Sequence, residues 1–149
     1  MHRDVKPDNI IINHSSRDLR LIDWGLADFY LPDGNFNHRV GTLQYKAPEL
    51  LLSDRQYHYS IDMWSLGCVL AEMLFGRVLF PGKDGNSVMK AILEVLGSGE
   101  VEKYVERYDF KLTSSMEKVI EESEKRGFES FVTGENEHLV SREAFDLLE

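Results

Sequence analysis

Cysteine is nearly absent from this 149-residue chain: Cys68 stands alone. A single thiol excludes an internal disulfide and suits a reducing compartment. Long apolar runs are missing as well. None approaches the ~20 residues of a membrane-spanning helix, so no membrane partner is expected. The charged opening "MHRDVKPDN" lacks the apolar core of a signal peptide. The five histidines are not paired at metal-ligand spacing, which leaves no basis for a structural zinc site. Positive charge is scarce: 17 Lys and Arg against 26 Asp and Glu leave a formal charge of −9. That balance argues against a nucleic-acid surface. No internal repeat or linker-like stretch is visible.

What is present suffices for a packed core. Hydrophobic residues make up 42% and charged residues 29% of the chain, the balance of a globular protein rather than a disordered one. The length is that of one ordinary domain. Residues 1–70 carry 7 basic and 9 acidic side chains, whereas residues 71–149 carry 10 and 17. The acidity therefore belongs to the second half, where it reads as a solvated helical surface.

Local patterning predicts a mainly α fold with a short β start. Ile10-Ile11-Ile12 and Leu19-Arg20-Leu21-Ile22, separated by the turn-prone "NHSSRD", read as a hairpin. Residues 26–46 read as a long loop. From Ser60, an N-cap with Asp62 in the first turn, an apolar stretch runs to Gly76. Its Trp64, Leu66, Cys68, Val69, Leu70, Met73 and Leu74 cover most of the circumference and predict a buried central helix. Val88, Ile92 and Leu96 mark a further helix. Val101, Tyr104, Val105 and Tyr108 mark another by their i, i+3, i+4, i+7 spacing. Ser114 with Glu117 predicts a capping box. Ser141–Glu149 begins a last amphipathic helix, with Ala144, Leu147 and Leu148 on one side. Both ends of the chain read as cut.

The chemistry lies in the first half. Phosphoryl transfer to a hydroxyl needs a carboxylate that takes the hydroxyl proton, a cation near the γ-phosphate and oxygen ligands for Mg²⁺. In "HRDVKPDN" Asp4 is the candidate base, Lys6 the cation and Asn9 a metal ligand; Mg²⁺ prefers hard oxygen donors. A second carboxylate is expected where the chain returns from the hairpin, and Asp23-Trp24-Gly25 follows it directly. Asp23 is the second metal ligand, and Gly25 is expected to give the backbone its freedom to turn. Gly41-Thr42 then precedes Ala47-Pro48-Glu49, and "DMWSLGC" opens the apolar helix.

These motifs, in this order around an intervening hairpin, resemble the C-terminal lobe of a eukaryotic protein kinase over essentially all 149 residues. "RLIDWGLADFY", with Trp24 where most kinases have phenylalanine, "YSIDMWSLGC", "VLG" and "GENEHLVS" resemble more closely the casein kinase two catalytic alpha family. The resemblance implies a catalytic loop at 2–9, an activation segment at 23–49 and a helical lobe at 60–149. It implies ATP and Mg²⁺ as cofactors and Ser/Thr phosphorylation in acidic contexts. Thr42 is expected to bond Asp4 and Lys6, and Asp62 to hold the amides of the catalytic loop. Arg3 is expected to support that loop, and Ile11 and Ile22 to floor the adenine site. Arg39 and Lys46 are expected to meet acidic substrates, although Leu43 and Gln44 stand where the subfamily carries arginine and tyrosine.

The same resemblance implies protein substrates, a regulatory beta subunit bound through the N-terminal lobe, and a cytoplasmic and nuclear location. Neither the Gly-rich phosphate loop nor the strand lysine of that lobe occurs in residues 1–149, and the arginine expected to pair with Glu49 is missing too. A kinase fragment opening on an internal methionine is the expectation, and the isolated chain is expected to be inactive. The alternatives are a non-catalytic kinase-like binding module and an unstable truncated product. Between Gly25 and Thr42 there is no serine or threonine, so no conventional activation-loop switch is expected.

Overall fold

Residues 1–148 are described by a computed structural model; Glu149, the end of the expected last helix, lies outside the described residues. Strands β1 (Ile10–Asn13) and β2 (Asp18–Leu21) pair antiparallel, with Ile10 opposite Leu21 and Asn13 opposite Asp18. The Asn13 side chain closes the turn by accepting the Ser15 and Ser16 amides at 3.1 and 3.3 Å. This is the local bonding that makes asparagine a turn residue. Six helices follow: α1 (Pro48–Leu51), α2 (Ser60–Phe75), α3 (Gly85–Leu96), α4 (Gly99–Arg107), α5 (Ser114–Glu122) and α6 (Arg142–Leu148). None of the described helices is long and apolar enough to cross a membrane.

The core sits between α2 and α3. Cys68, Val69, Ala71 and Phe75 of α2 meet Val88, Ile92 and Val95 of α3 in one buried cluster, which Tyr45, Leu79, Phe80 and Phe128 complete. Trp64 stacks on Phe80, ring centroids 5.6 Å apart. Burial pushes the Cys68 thiol up to about 12, so it is an inert packing group at neutral pH. Asn136, from "GENEHLVS", is buried where α2 ends. Its amide donates to the carbonyls of Phe75 (3.4 Å) and Phe131 (3.0 Å), while its oxygen accepts the Thr133 amide. Gly76 stops α2 in the left-handed region at φ 69°, its amide on the Glu72 carbonyl. Glycine is the residue that reaches this conformation without a Cβ penalty.

Four expectations need correction. Helix α2 is not buried all round: Met63, Leu66 and Met73 are 64%, 46% and 71% exposed, because the described neighbours pack on one side of it only. Its first helical residue is Ser60 itself, and no side chain caps it. Thr113, not Ser114, caps α5 through the Met116 amide at 3.3 Å. The capping box belongs instead to α3, where Asp84 and Ser87 bond each other's backbone amides. Of the apolar stripes on the later helices, Tyr108 and Leu147 are exposed; on α6 it is Phe145 and Leu148 that reach the core.

Two replacements test this division of α2 and α3. Ile92→Ala, at a position 1% exposed, is expected to cost about 2–5 kcal/mol through lost burial and the cavity left behind. Met73→Ala on the open face of α2 is expected to stay within about 0.5 kcal/mol. Urea denaturation midpoints measure both, and equal losses would contradict the one-sided packing.

Candidate active site

The site is tied to the core by one carboxylate. Asp62, in the first turn of α2, accepts the backbone amides of His2 at 2.7 Å and of Arg3 at 2.8 Å. Arg3 stands in the left-handed region at φ 70°, a conformation that costs a non-glycine residue of order 1–3 kcal/mol unless its surroundings hold it. Here they do. The Arg3 guanidinium donates to the Leu26 carbonyl (2.6 Å) and the Tyr57 hydroxyl (3.1 Å), and it pairs with Asp28 at 3.3 Å. The buried His2 ring receives the Asp4 amide on Nδ1 at 3.3 Å, which leaves Nε2 to donate to the Ile22 carbonyl at 3.0 Å. That pair of bonds suits the tautomer that carries its proton on Nε2. Trp24 packs edge-on against His2, centroids 4.9 Å apart, and its indole N–H donates to the Leu21 carbonyl, a bond phenylalanine cannot make.

Asp4 is the centre of a four-residue network. Its Oδ1 accepts the Thr42 amide and the Thr42 hydroxyl, both at 2.8 Å. Its Oδ2 lies 3.1 Å from the Lys6 ammonium and 3.2 Å from the Asn9 amide nitrogen. Lys6 also donates to the Thr42 hydroxyl at 2.9 Å, and Asn9 is anchored by a second bond to the Asp4 carbonyl at 2.8 Å. Thr42 reaches Asp4 because Gly41 precedes it. At φ 75° Gly41 passes so close to the loop that an added Cβ would stand 2.6 Å from the Arg3 carbonyl oxygen, so only glycine fits. Burial raises the Asp4 pKa, but the bonds from Thr42 and Lys6 outweigh it and hold the group below its ordinary 3.8.

The metal-side candidates are less tightly gathered. Asn9 turns its amide nitrogen toward Asp4, leaving its side-chain oxygen for another partner. Ile22 donates its amide to the Asn9 carbonyl at 2.9 Å, which puts Asp23 one residue beyond that bond. Asp23 is exposed and lies outside the Asp4 network; among the described residues no three His, Cys, Asp or Glu side chains are grouped so that they could hold a metal ion by themselves. Such a sparse oxygen donor set still fits Mg²⁺, which keeps several waters and takes the rest of its shell from phosphates. The turn expected of Gly25 is made elsewhere: the left-handed residue is Asp23, at φ 60°. Gly25 has no positive φ, and its missing Cβ gives room to the Asp23 carboxylate, which would lie 3.3 Å away.

Ile11 and Ile22 are both solvent-open, 52% and 36% exposed, and the register puts them on the same face of the hairpin. Arg39 is exposed, whereas Lys46 is half-buried, and burial pulls its pKa down against the opposing pull of Asp4. Leu43 packs on the core and Gln44 donates to the Gly82 carbonyl at 3.3 Å. Glu49, in α1, makes no ion pair among the described residues, and burial raises its pKa above the ordinary 4.5. The anchors His2, Asp28 and Tyr57 escaped the reading of the sequence. Tyr57 lies 54 residues from the arginine it supports, and nothing in its local pattern announces that contact.

Two titrations follow from these environments. A carboxylate with a depressed folded pKa lends its full stability above the unfolded value and loses it as the pH falls through the folded one. The Asp4 carboxyl, followed by ¹³C NMR, is therefore expected to titrate below 3.8 and to move upward in Thr42→Ala; a midpoint at or above 3.8 contradicts the network. For Glu49 the sign reverses. Its raised pKa means that the ionised form costs stability as the pH rises through the folded value, so Glu49→Gln is expected to raise Tm at neutral pH. That gain is expected to vanish below pH 4.5; a gain independent of pH would point to another cause.

One comparison with known proteins bears on this arrangement. The family model described as the protein kinase domain matches residues 1–149. With a loop carboxylate, a lysine, an asparagine and a threonine hydroxyl gathered at one point, and that match running the length of the chain, the protein belongs to the protein kinase family.

Proposed function

We propose that the protein works as a serine/threonine kinase of the casein kinase two alpha type, moving the γ-phosphate of ATP to hydroxyls in acidic sequence contexts. The observation that supports this reading best is the Asp4 carboxylate. One oxygen already receives a threonine hydroxyl at 2.8 Å, and an ammonium stands 3.1 Å from the other. A substrate serine taking that oxygen would donate its proton to Asp4 as its own oxygen bonds the γ-phosphorus and the bond to the ADP oxygen breaks. Lys6 offsets charge on the phosphoryl oxygens, and Asn9 and Asp23 would hold Mg²⁺. When bound, the metal neutralises charge on the phosphates and fixes their orientation. Ile11 and Ile22 offer an apolar floor to the adenine ring.

Lys46 and Arg39 supply the positive side of the substrate groove, and Thr42 presents a hydroxyl that favours serine and threonine as acceptors. With Tyr30 the sole side-chain hydroxyl between Gly25 and Thr42, the reading includes activity without a Ser/Thr loop switch.

In protein isolated from its own cells, Asp4→Asn is expected to lower kcat on an acidic serine peptide by about 10²–10⁴. Lys46→Glu is expected to lower kcat/KM for acidic peptides selectively, and broad phosphatase treatment to leave the rate unchanged. Retained activity in Asp4→Asn sinks the catalytic assignment. An equal loss of Lys46→Glu on neutral peptides sinks the acidic preference alone.

A further inference from the structure

Away from the Asp4 network, a cavity of about 390 Å³ opens between the loop after Asp28 and helix α4. Its lining includes none of Asp4, Lys6, Asn9 or Thr42. Its walls are aromatic. On the loop side Tyr30 lies 6.3 Å from Phe36, and Phe36 lies 5.3 Å from Tyr57, measured between ring centroids. On the helix side Tyr104 lies 4.7 Å from Tyr108 and 5.7 Å from Phe110. Asp54 pins the two walls together: its Oδ2 accepts the Tyr104 hydroxyl at 2.6 Å while Oδ1 takes the Gln56 amide at 2.7 Å.

Charge decides what such a space can hold. Asp33, Glu49 and Asp54 line it; His58 is the one basic side chain there, with no lysine or arginine among the lining residues. The three carboxylates disfavour an anion, and a neutral guest would leave them unmatched. A small metal ion needs oxygen ligands converging on one point, and the described carboxylates form no such cluster. A diffuse cation needs only a negative field and π faces. Aromatic rings attract an organic cation through their quadrupole, and more strongly where water is excluded. The bond from Tyr104 to a carboxylate enriches its ring further. The volume falls within the ~300–1,000 Å³ of small-ligand sites.

The geometry points to this cavity as a binding site for an alkylated ammonium cation, seated between the two aromatic walls and held by the field of Asp33, Glu49 and Asp54. The cation has two sources with one chemistry: a free quaternary ammonium compound, or a methylated lysine side chain on another protein.

The test is a calorimetric and NMR titration of the whole chain with choline and with its uncharged isostere 3,3-dimethyl-1-butanol. Choline is expected to saturate and to bind about tenfold more tightly than the isostere, in line with cation–π strengths, shifting the ring resonances of Tyr104 and Tyr108. Tyr108→Leu, at a position 55% exposed, removes part of a wall at the surface, and Asp33→Asn removes one charge from an exposed loop. Each is expected to weaken choline binding severalfold while leaving Tm in place. A trimethyllysine peptide then separates the sources. Tighter binding than choline identifies a side chain as the occupant, and weaker binding identifies a free compound. Equal affinity for choline and the isostere, no saturation by either, or choline binding untouched by both substitutions would overturn the proposal.

Discussion

The grip of Asp62 on the amides of His2 and Arg3 is the constraint on which the site depends. One carboxylate in the first turn of α2 converts the position of the core helix into the position of the loop that carries Asp4, at 2.7 and 2.8 Å. Because the two amides belong to consecutive residues, the loop is held in orientation as well as in place. The strain of Arg3 in the left-handed region is sustained by this grip and by three further contacts of its guanidinium. Asp4 inherits its placement from that arrangement, and Lys6, Asn9 and Thr42 gather on Asp4.

The two faces of the molecule answer to different demands. Around Asp4 polar groups are matched almost one to one, with each carboxylate oxygen carrying two partners. Near α1 the matching fails: Glu49 is half-buried without an ion pair among the described residues, and the indole nitrogen of Trp64 is buried without a hydrogen-bond partner. Buried unpaired groups cost stability. The Asp4 network is thus the better-satisfied part of the structure, and the region around α1 the more expensive one.

How much could be read in advance follows from the range of each contact. Asp4, Lys6 and Asn9 stand within six residues, so they show in the sequence as one motif, which gains weight from the motifs that follow it. Thr42 lies 38 residues from Asp4, yet its own Gly41-Thr42 signature marked it. Tyr57 and Asp28 carry no such signature, and their bonds to Arg3 exist only once the chain has folded. Burial of α2 failed for a related reason. The apolar circumference that includes Leu66 and Met73 says what the helix tolerates, while exposure depends on which neighbours arrive. Capping failed by a single residue: Thr113 and Ser114 offer the same hydroxyl chemistry, and only the extended backbone at Thr113 decides between them. Gly25 misled because glycine permits a left-handed turn without requiring one, and Asp23 took it.

The 2.6 Å approach between position 41 and the Arg3 carbonyl also has a genetic reading. Every glycine codon loses its meaning with any change at its first or second base, and all the resulting side chains carry the Cβ that this approach excludes. Codon 41 therefore offers natural variation no conservative step: silent third-base changes pass, and every substitution adds a Cβ that must crowd the Arg3 carbonyl oxygen.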